Sequence, residues 1–272
     1  MSIPLWGVDF SSAPTARKPI VVACGVLAGR VLRLQRLHSL PTMAGFEALL
    51  ASAGPWCAGF DFPFGLPREL VESQQLGASA DAVITALHRR CPTRMAFRAL
   101  VDDWGNSRPA GQRLIHRVTD TAQPGIRSTS PLQTRYVPVG FMYYEGYVRL
   151  MAAGVHVPGL RAGDGQRLAL EAYPGLLAHE LIGRRSYKND DSSARLLARK
   201  DIVEALEQGR TRLALRLKLT PAQAGQLVAD ASGDSLDAVL CLLQAAWAQG
   251  QGAPRYGLPD GFDPLEGWIV TA

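Results

Sequence analysis

Three short segments share one layout. Trp6-Gly7-Val8-Asp9, Ala58-Gly59-Phe60-Asp61 and Ala169-Leu170-Glu171 each run apolar and then present a lone carboxylate just where the chain turns. That pattern constrains the fold strongly, because a carboxylate carried to the end of a buried strand is costly unless it finds a partner there. A fourth acidic pair, Asp234 and Asp237, opens an apolar segment that runs to Trp247. If the four places meet in space, they form a candidate site for a hard metal ion.

The order of elements predicts that they do. Residues 5 to 10, 19 to 27 and 30 to 37 read as three strands, the last two split by Ala28-Gly29. The third alternates polar and apolar positions with one slip, as in an antiparallel sheet with one wet face. A helix follows from the N-cap candidate Thr42 to Gly54-Pro55, and then an apolar strand from Trp56 to Phe62. A right-handed crossover would lay this fourth strand parallel to the first, making Asp9 and Asp61 neighbours at a point where the sheet changes direction. Residues 66 to 160 read as an insertion of short helices, a Gly/Pro/Ser-rich loop (105 to 138) and an aromatic stretch (Phe141 to Tyr147). The fifth strand, Arg167 to Tyr173, carries Glu171, and helices at 176 to 182, 194 to 207, 221 to 231 and from 234 onward complete the chain. The expected fold is thus α/β, a mixed five-stranded sheet of three antiparallel and two parallel strands in a single domain spanning residues 1 to 272.

Each acid also has a plainer use. Asp9 could open a turn, Asp234 could cap the last helix, and Asp237 could favour its dipole. On the helical wheel Asp237 lies about 100° from Leu236, at the border of the stripe Leu236, Val239, Leu240, Leu243 and Trp247. Asp61 and Glu171 resist such readings because apolar residues surround them. Two-metal sites need three or four carboxylates from separate segments, which would otherwise repel one another.

Composition narrows the alternatives. With 47% hydrophobic residues in 272, the chain has material for a real core. Its amino terminus lacks the pattern of a signal peptide and no apolar run reaches membrane-spanning length, so a cytoplasmic protein is expected. Cys24, Cys57, Cys91 and Cys241 are too scattered for a zinc site and read as buried thiols. The five histidines do not pair at metal spacing, and no nucleophile elbow, Walker A sequence or dinucleotide fingerprint is present. Residues 89 to 135 hold nine arginines against three aspartates, although the chain's net charge is only +5. This basic segment points to an anionic partner, nucleic acid or nucleotide. A genomic preference for arginine, 25 against 4 lysines, is the competing explanation. The aromatic stretch Phe141 to Tyr147 could stack on bases or pack the core, and Lys188 could contact a phosphate or sit in a solvated loop.

These motifs, Gly7-Val8-Asp9, Phe60-Asp61-Phe62-Pro63-Phe64-Gly65, Glu171-Ala172-Tyr173-Pro174, Tyr187-Lys188 before an arginine-bearing helix, and Asp234-Ser235-Leu236-Asp237, resemble in their order the domain of unknown function 429 family. That family is described as predicted nucleases of the RNase H-like superfamily. The resemblance implies an RNase H-like fold and a two-metal nuclease using Mg2+ or Mn2+. By it, Asp9, Asp61 and Asp237 would bind metal, Glu171 would be a further ligand or base, and Asp234 an auxiliary acid. Arginines of the insertion (Arg89, Arg94, Arg98, Arg113, Arg117, Arg127) would guide a nucleic-acid backbone. One rival is an ATP-dependent phosphotransferase of related actin/hexokinase-like fold, which the glycine-free loop Phe10-Ser11-Ser12-Ala13-Pro14 disfavours. Another is a non-catalytic nucleic-acid-binding protein that retains its acids.

Overall fold

A computed structural model describes residues 3–124 and 128–272. In chain order its elements are β1 (Leu5–Asp9), β2 (Ile20–Ala28), β3 (Val31–Leu40), α1 (Met43–Leu50), β4 (Trp56–Phe60), α2 (Arg68–Ser73), α3 (Ala80–Arg90) and α4 (Arg94–Asn106). After a 3-10 turn (Thr119–Thr121) come α5 (Val139–Ala153), β5 (Val155–His156), β6 (Asp164–Glu171), α6 (Pro174–Ile182), α7 (Ser193–Gln208), β7 (Arg216–Lys218), α8 (Pro221–Ala229) and α9 (Asp234–Gln251). Helix starts follow local chemistry. The hydroxyls of Thr42, Ser79 and Thr93 each accept a hydrogen bond from the amide three residues on, and Thr220 with Gln223 forms a capping box before Pro221.

The strands form one α/β mixed sheet in the order β5-β6-β4-β1-β2-β3-β7. Only β2 runs against the rest: it is antiparallel to β1 and β3, while β4 is parallel to β1, β6 to β4, β5 to β6 and β7 to β3. Among the described residues the sheet therefore has seven strands and not five. The two additional strands are edge pieces of two and three residues, too short to show a period. β5 falls inside residues 66 to 160, so that segment is not wholly an insertion outside the sheet. The strand expected at Arg167 to Tyr173 begins and ends earlier, and Tyr173 instead precedes α6 as its N-cap. The slip in β3's alternation is a bulge: Cys24 pairs with Arg36 and Gly25 with Leu34, leaving Gln35 without an opposite residue.

Both faces are covered. On one side Trp6, Val8, Phe60 and Ala169 pack beneath residues of α1, α3, α4 and α5. On the other, Leu5, Val21, Cys57, Leu168 and Leu170 share a cluster with α6, α7, α8 and α9. This is why β1 and β4 read as unbroken apolar runs. Phe141, Tyr143, Tyr144 and Tyr147 lie in the first of these layers, so the aromatic stretch is core. All four cysteines are free and buried. Among the described residues no helix is long and apolar enough to cross a membrane.

Helix α9 lies directly on β1 and β4 because two glycines leave room for its backbone. A methyl group on Gly7 would collide with Ala238 O and Leu242 N, and one on Gly59 would stand 2.7 Å from Cys241 O. The sheet-facing stripe of α9 is accordingly Ala238, Cys241, Leu242 and Ala245, while Leu236, Val239, Leu240 and Leu243 join the layer formed with Leu177, Ile202 and Leu206. We expect Gly7→Ala to cost about 3 kcal/mol or more, the upper range for overpacking, since backbone and not a flexible side chain stands in the way. Chemical denaturation checks this, and a loss below about 1 kcal/mol would contradict it.

Candidate metal centre

Strand alternation decides which acids meet. Leu5, Gly7 and Asp9 point to the α9 side of the sheet, as do Cys57, Gly59 and, by continuation, Asp61. The amide of Asp61 donates to Val8 O at 2.9 Å, so the ends of β1 and β4 lie side by side. On α9, Asp234 and Asp237 extend the sheet-facing stripe by one turn beyond the strand ends. Carboxylate oxygens of Asp9, Asp61 and Asp237 all lie within 4.8 Å of one another. Asp237 is therefore not at the border of a buried stripe but inside the helix–sheet contact, 2% exposed.

Glu171 lines a cleft with Asp61 but stands apart from the triad. It pairs with Phe60 across β4 and β6, which puts it on the opposite face of the sheet from Asp9 and Asp61. There Arg117 clamps it in two contacts, Nη2 to Oε1 at 2.6 Å and Nη1 to Oε2 at 3.0 Å, and the Phe64 amide donates to Oε2 at 2.9 Å. Arg117 also holds Asp120 (Nη2 to Oδ1, 2.8 Å) and Glu266 O (2.8 Å), and is itself 2% exposed. It is thus a buried strut between the segment around residue 120, β6 and the carboxyl-terminal segment, paired with both acids at the wall of a cleft it shares with Asp61.

The remaining candidates spread around the acids. Lys188 Nζ contacts Asp237 Oδ2, and the Tyr187 hydroxyl donates to Asp237 Oδ1 at 2.5 Å. Asp234 is not an N-cap, since Gly233 occupies that position. It pairs with Lys18 at 3.2 Å, and the amide of Ser235 is served instead by Asp230 Oδ2 at 2.9 Å. Arg94 donates to Ser12 Oγ at 3.0 Å, in the loop after Asp9, and stacks over Phe141. Arg98 also covers Phe141 and donates to Thr134 O. Arg89 and Arg113 are exposed; Arg127 lies outside the described residues. Sequence reasoning did not single out Lys18, Asp120, Arg199, Asp230 or Glu266. Buried Arg199 donates to the carbonyls of Tyr187, Asp190 and Val228 and so fixes the loop that carries Lys188. None of these five stands in a pattern that marks it locally, whereas Tyr187 lies in the Tyr187-Lys188 motif.

The charges do not balance. Among the described residues Asp237 has Lys188 and Tyr187, whereas the carboxylates of Asp9 and Asp61 receive neither hydrogen bond nor ion pair. Burial, and then Asp237 and Asp61, push the Asp9 carboxyl well above its ordinary range. Burial and Asp237 raise Asp61 to about 7, against the opposing pull of Lys188. Asp237 is also raised by burial, with Lys188 and Tyr187 working against the shift. Burial disfavours the Lys188 charge, but Asp237 and Asp61 outweigh it and raise the ammonium.

Raised carboxyls mean that the folded protein binds protons more tightly than the unfolded chain. The contribution is fully present below the ordinary carboxylate range and is lost as pH rises through about 7 for Asp61. Cation binding must displace that proton. We therefore expect Mn2+ affinity to rise by about tenfold between pH 6 and pH 8 while the metal-free protein becomes less stable. Calorimetric titration at both pH values checks the first statement and thermal unfolding the second. A flat affinity profile would contradict the assignment.

Asp61 also marks the junction of two clefts, of about 240 and 260 Å³, that share Tyr173 and Lys188. No protein-family model matches the chain, and no curated protein or solved structure is significantly similar to it.

Proposed function

We propose that the chain is a divalent-metal-dependent nuclease with an RNase H-like core. The observation that carries this reading is the Asp9, Asp61 and Asp237 triad, drawn from two strand ends and a helix start, with two of its three charges uncompensated. An all-oxygen donor set suits Mg2+ or Mn2+ better than zinc or copper. The run β3-β2-β1-β4-β6, with β2 alone reversed and α1 leading into β4, supports the RNase H-like part of the proposal.

Bound ions of this kind would supply an activated water and stabilise the leaving oxygen of a phosphodiester. The chain's own residues do the rest. Asp9 and Asp61 hold fixed positions at adjacent strand ends. Tyr187 orients Asp237 through its hydroxyl. Lys188 neutralises Asp237 in the metal-free state, and with a third of its side chain exposed it can turn to a phosphate oxygen. Glu171 acts at one remove: by accepting from the Phe64 amide it fixes the turn that follows Asp61.

Calorimetry with Mn2+ on the wild type and Asp61→Asn, alongside cleavage of labelled DNA and RNA, tests the proposal. Uptake lost in the variant together with wild-type cleavage supports it. Uptake only in the presence of ATP would favour a phosphotransferase, and no uptake would favour a non-catalytic binding protein.

A further inference from the structure

The two clefts beside Asp61 differ in chemistry, and the difference bears on what kind of nucleic acid the proposed nuclease takes. On one side His179, Arg184 and Arg185 stand beside Lys188. Arg184 and Arg185 are exposed, and Arg185 is held by Asp201 at 2.6 Å. On the other side Phe62, Pro63, Val137, Val139, Met142 and Ile269 form an apolar wall, and Ser128, exposed Thr129 and the buried Arg117–Glu171 pair add polar groups to the same cleft. A basic strip suits a sugar-phosphate backbone, and a cleft with one apolar wall and a few fixed polar groups suits the flat face and polar edge of a base. This second cleft, about 240 Å³, is smaller than the roughly 300–1,000 Å³ of sites for drug-sized ligands. It has room for a base.

Resting on the nuclease reading, we infer that the cleft walled by Phe62, Val139 and Met142 takes a single unpaired nucleobase next to the scissile phosphate, and that the substrate is single-stranded nucleic acid, not an intact duplex. Tyr173, which borders both clefts, stands where the chain of the substrate would pass from base to backbone. A base within a duplex would first have to be unstacked and unpaired, a cost that is least for a strand already single.

The test presents the Mn2+-loaded protein with a labelled single strand, the same sequence as a duplex, and the strand with abasic residues beside the scissile positions. The small diester bis(p-nitrophenyl) phosphate is included as a substrate without a nucleobase. The intact single strand is expected to be cleaved at least about tenfold faster than the duplex or the abasic strand. Val137→Trp, a change at an exposed position lining the cleft, is expected to bring intact and abasic strands to near parity. Met142→Trp provides a second filled cleft. Equal cleavage of single strand and duplex, or of intact and abasic strands, with the diester hydrolysed, overturns this inference and leaves the nuclease reading standing. No hydrolysis of any substrate, the diester included, overturns both.

Discussion

Asp9→Asn is expected to make the metal-free protein more stable at pH 8 and to slow Mn2+-supported cleavage by on the order of a thousandfold. Both effects come from the same carboxylate. It is buried, it receives no hydrogen bond or ion pair among the described residues, and Asp237 and Asp61 oppose its charge. Without a cation, an isosteric amide removes that repulsion and gains on the order of 1–3 kcal/mol. In thermal unfolding this corresponds to roughly 2–4 °C per kcal/mol for a chain of this size. The catalytic loss follows because a bound ion contributes several kcal/mol to the transition state. An excess of Mn2+ should reverse the order of stability, since it stabilises only the protein that binds it. A variant that is less stable without metal, or that cleaves at the wild-type rate, would refute the role given to Asp9.

Arg117→Met is expected to destabilise the fold by about 3–5 kcal/mol, because it leaves Asp120 and Glu171 buried without their cation. Glu266 O loses a donor as well, loosening the carboxyl-terminal segment from the sheet. Arg117→Lys should recover little, since an ammonium cannot reproduce the forked contacts to both acids. Combining Arg117→Met with Glu171→Gln and Asp120→Asn should restore most of the loss, as neutral partners carry a far smaller burial cost. Denaturant midpoints of the series measure this. If the single variant loses less than about 1 kcal/mol, the buried triad is not the strut described.

Much of the architecture was legible because it rests on long apolar runs. β1, β4 and α9 announce themselves by composition, and the capping residues Thr42 and Thr220 mark helix starts that the structure reproduces. β5 and β7, with two and three residues, offered no periodicity. Asp9 and Asp61 were readable as neighbours because β4 returns beside β1. Glu171 shows the limit of that reasoning. All three acids end apolar segments, yet the register pairs Glu171 with Phe60 and not with Asp61. A single step along a strand reverses the face a side chain occupies, and no feature of the isolated segment reveals it. The buried pairing of Arg117 was hidden for a similar reason. Its charge is visible in sequence, but Asp120, Glu171 and Glu266 converge on it only through tertiary packing. The basic count of residues 89 to 135 is partly absorbed in such pairs, with Arg94 beside Glu145, Arg108 beside Glu69 and Arg135 beside Asp102.

The seating of α9 on Gly7 and Gly59 has a consequence for how this protein can vary. Main chain rests on main chain there, so the spacing between Asp237 and the two strand-end aspartates is a ruler without adjustable marks. Exchanging leucines in the surrounding layers can soften or stiffen the molecule while leaving that ruler unchanged. Adding a single carbon at either glycine lengthens it at once. The geometry of the acidic triad is thus tied to two hydrogen-only side chains that lie outside it.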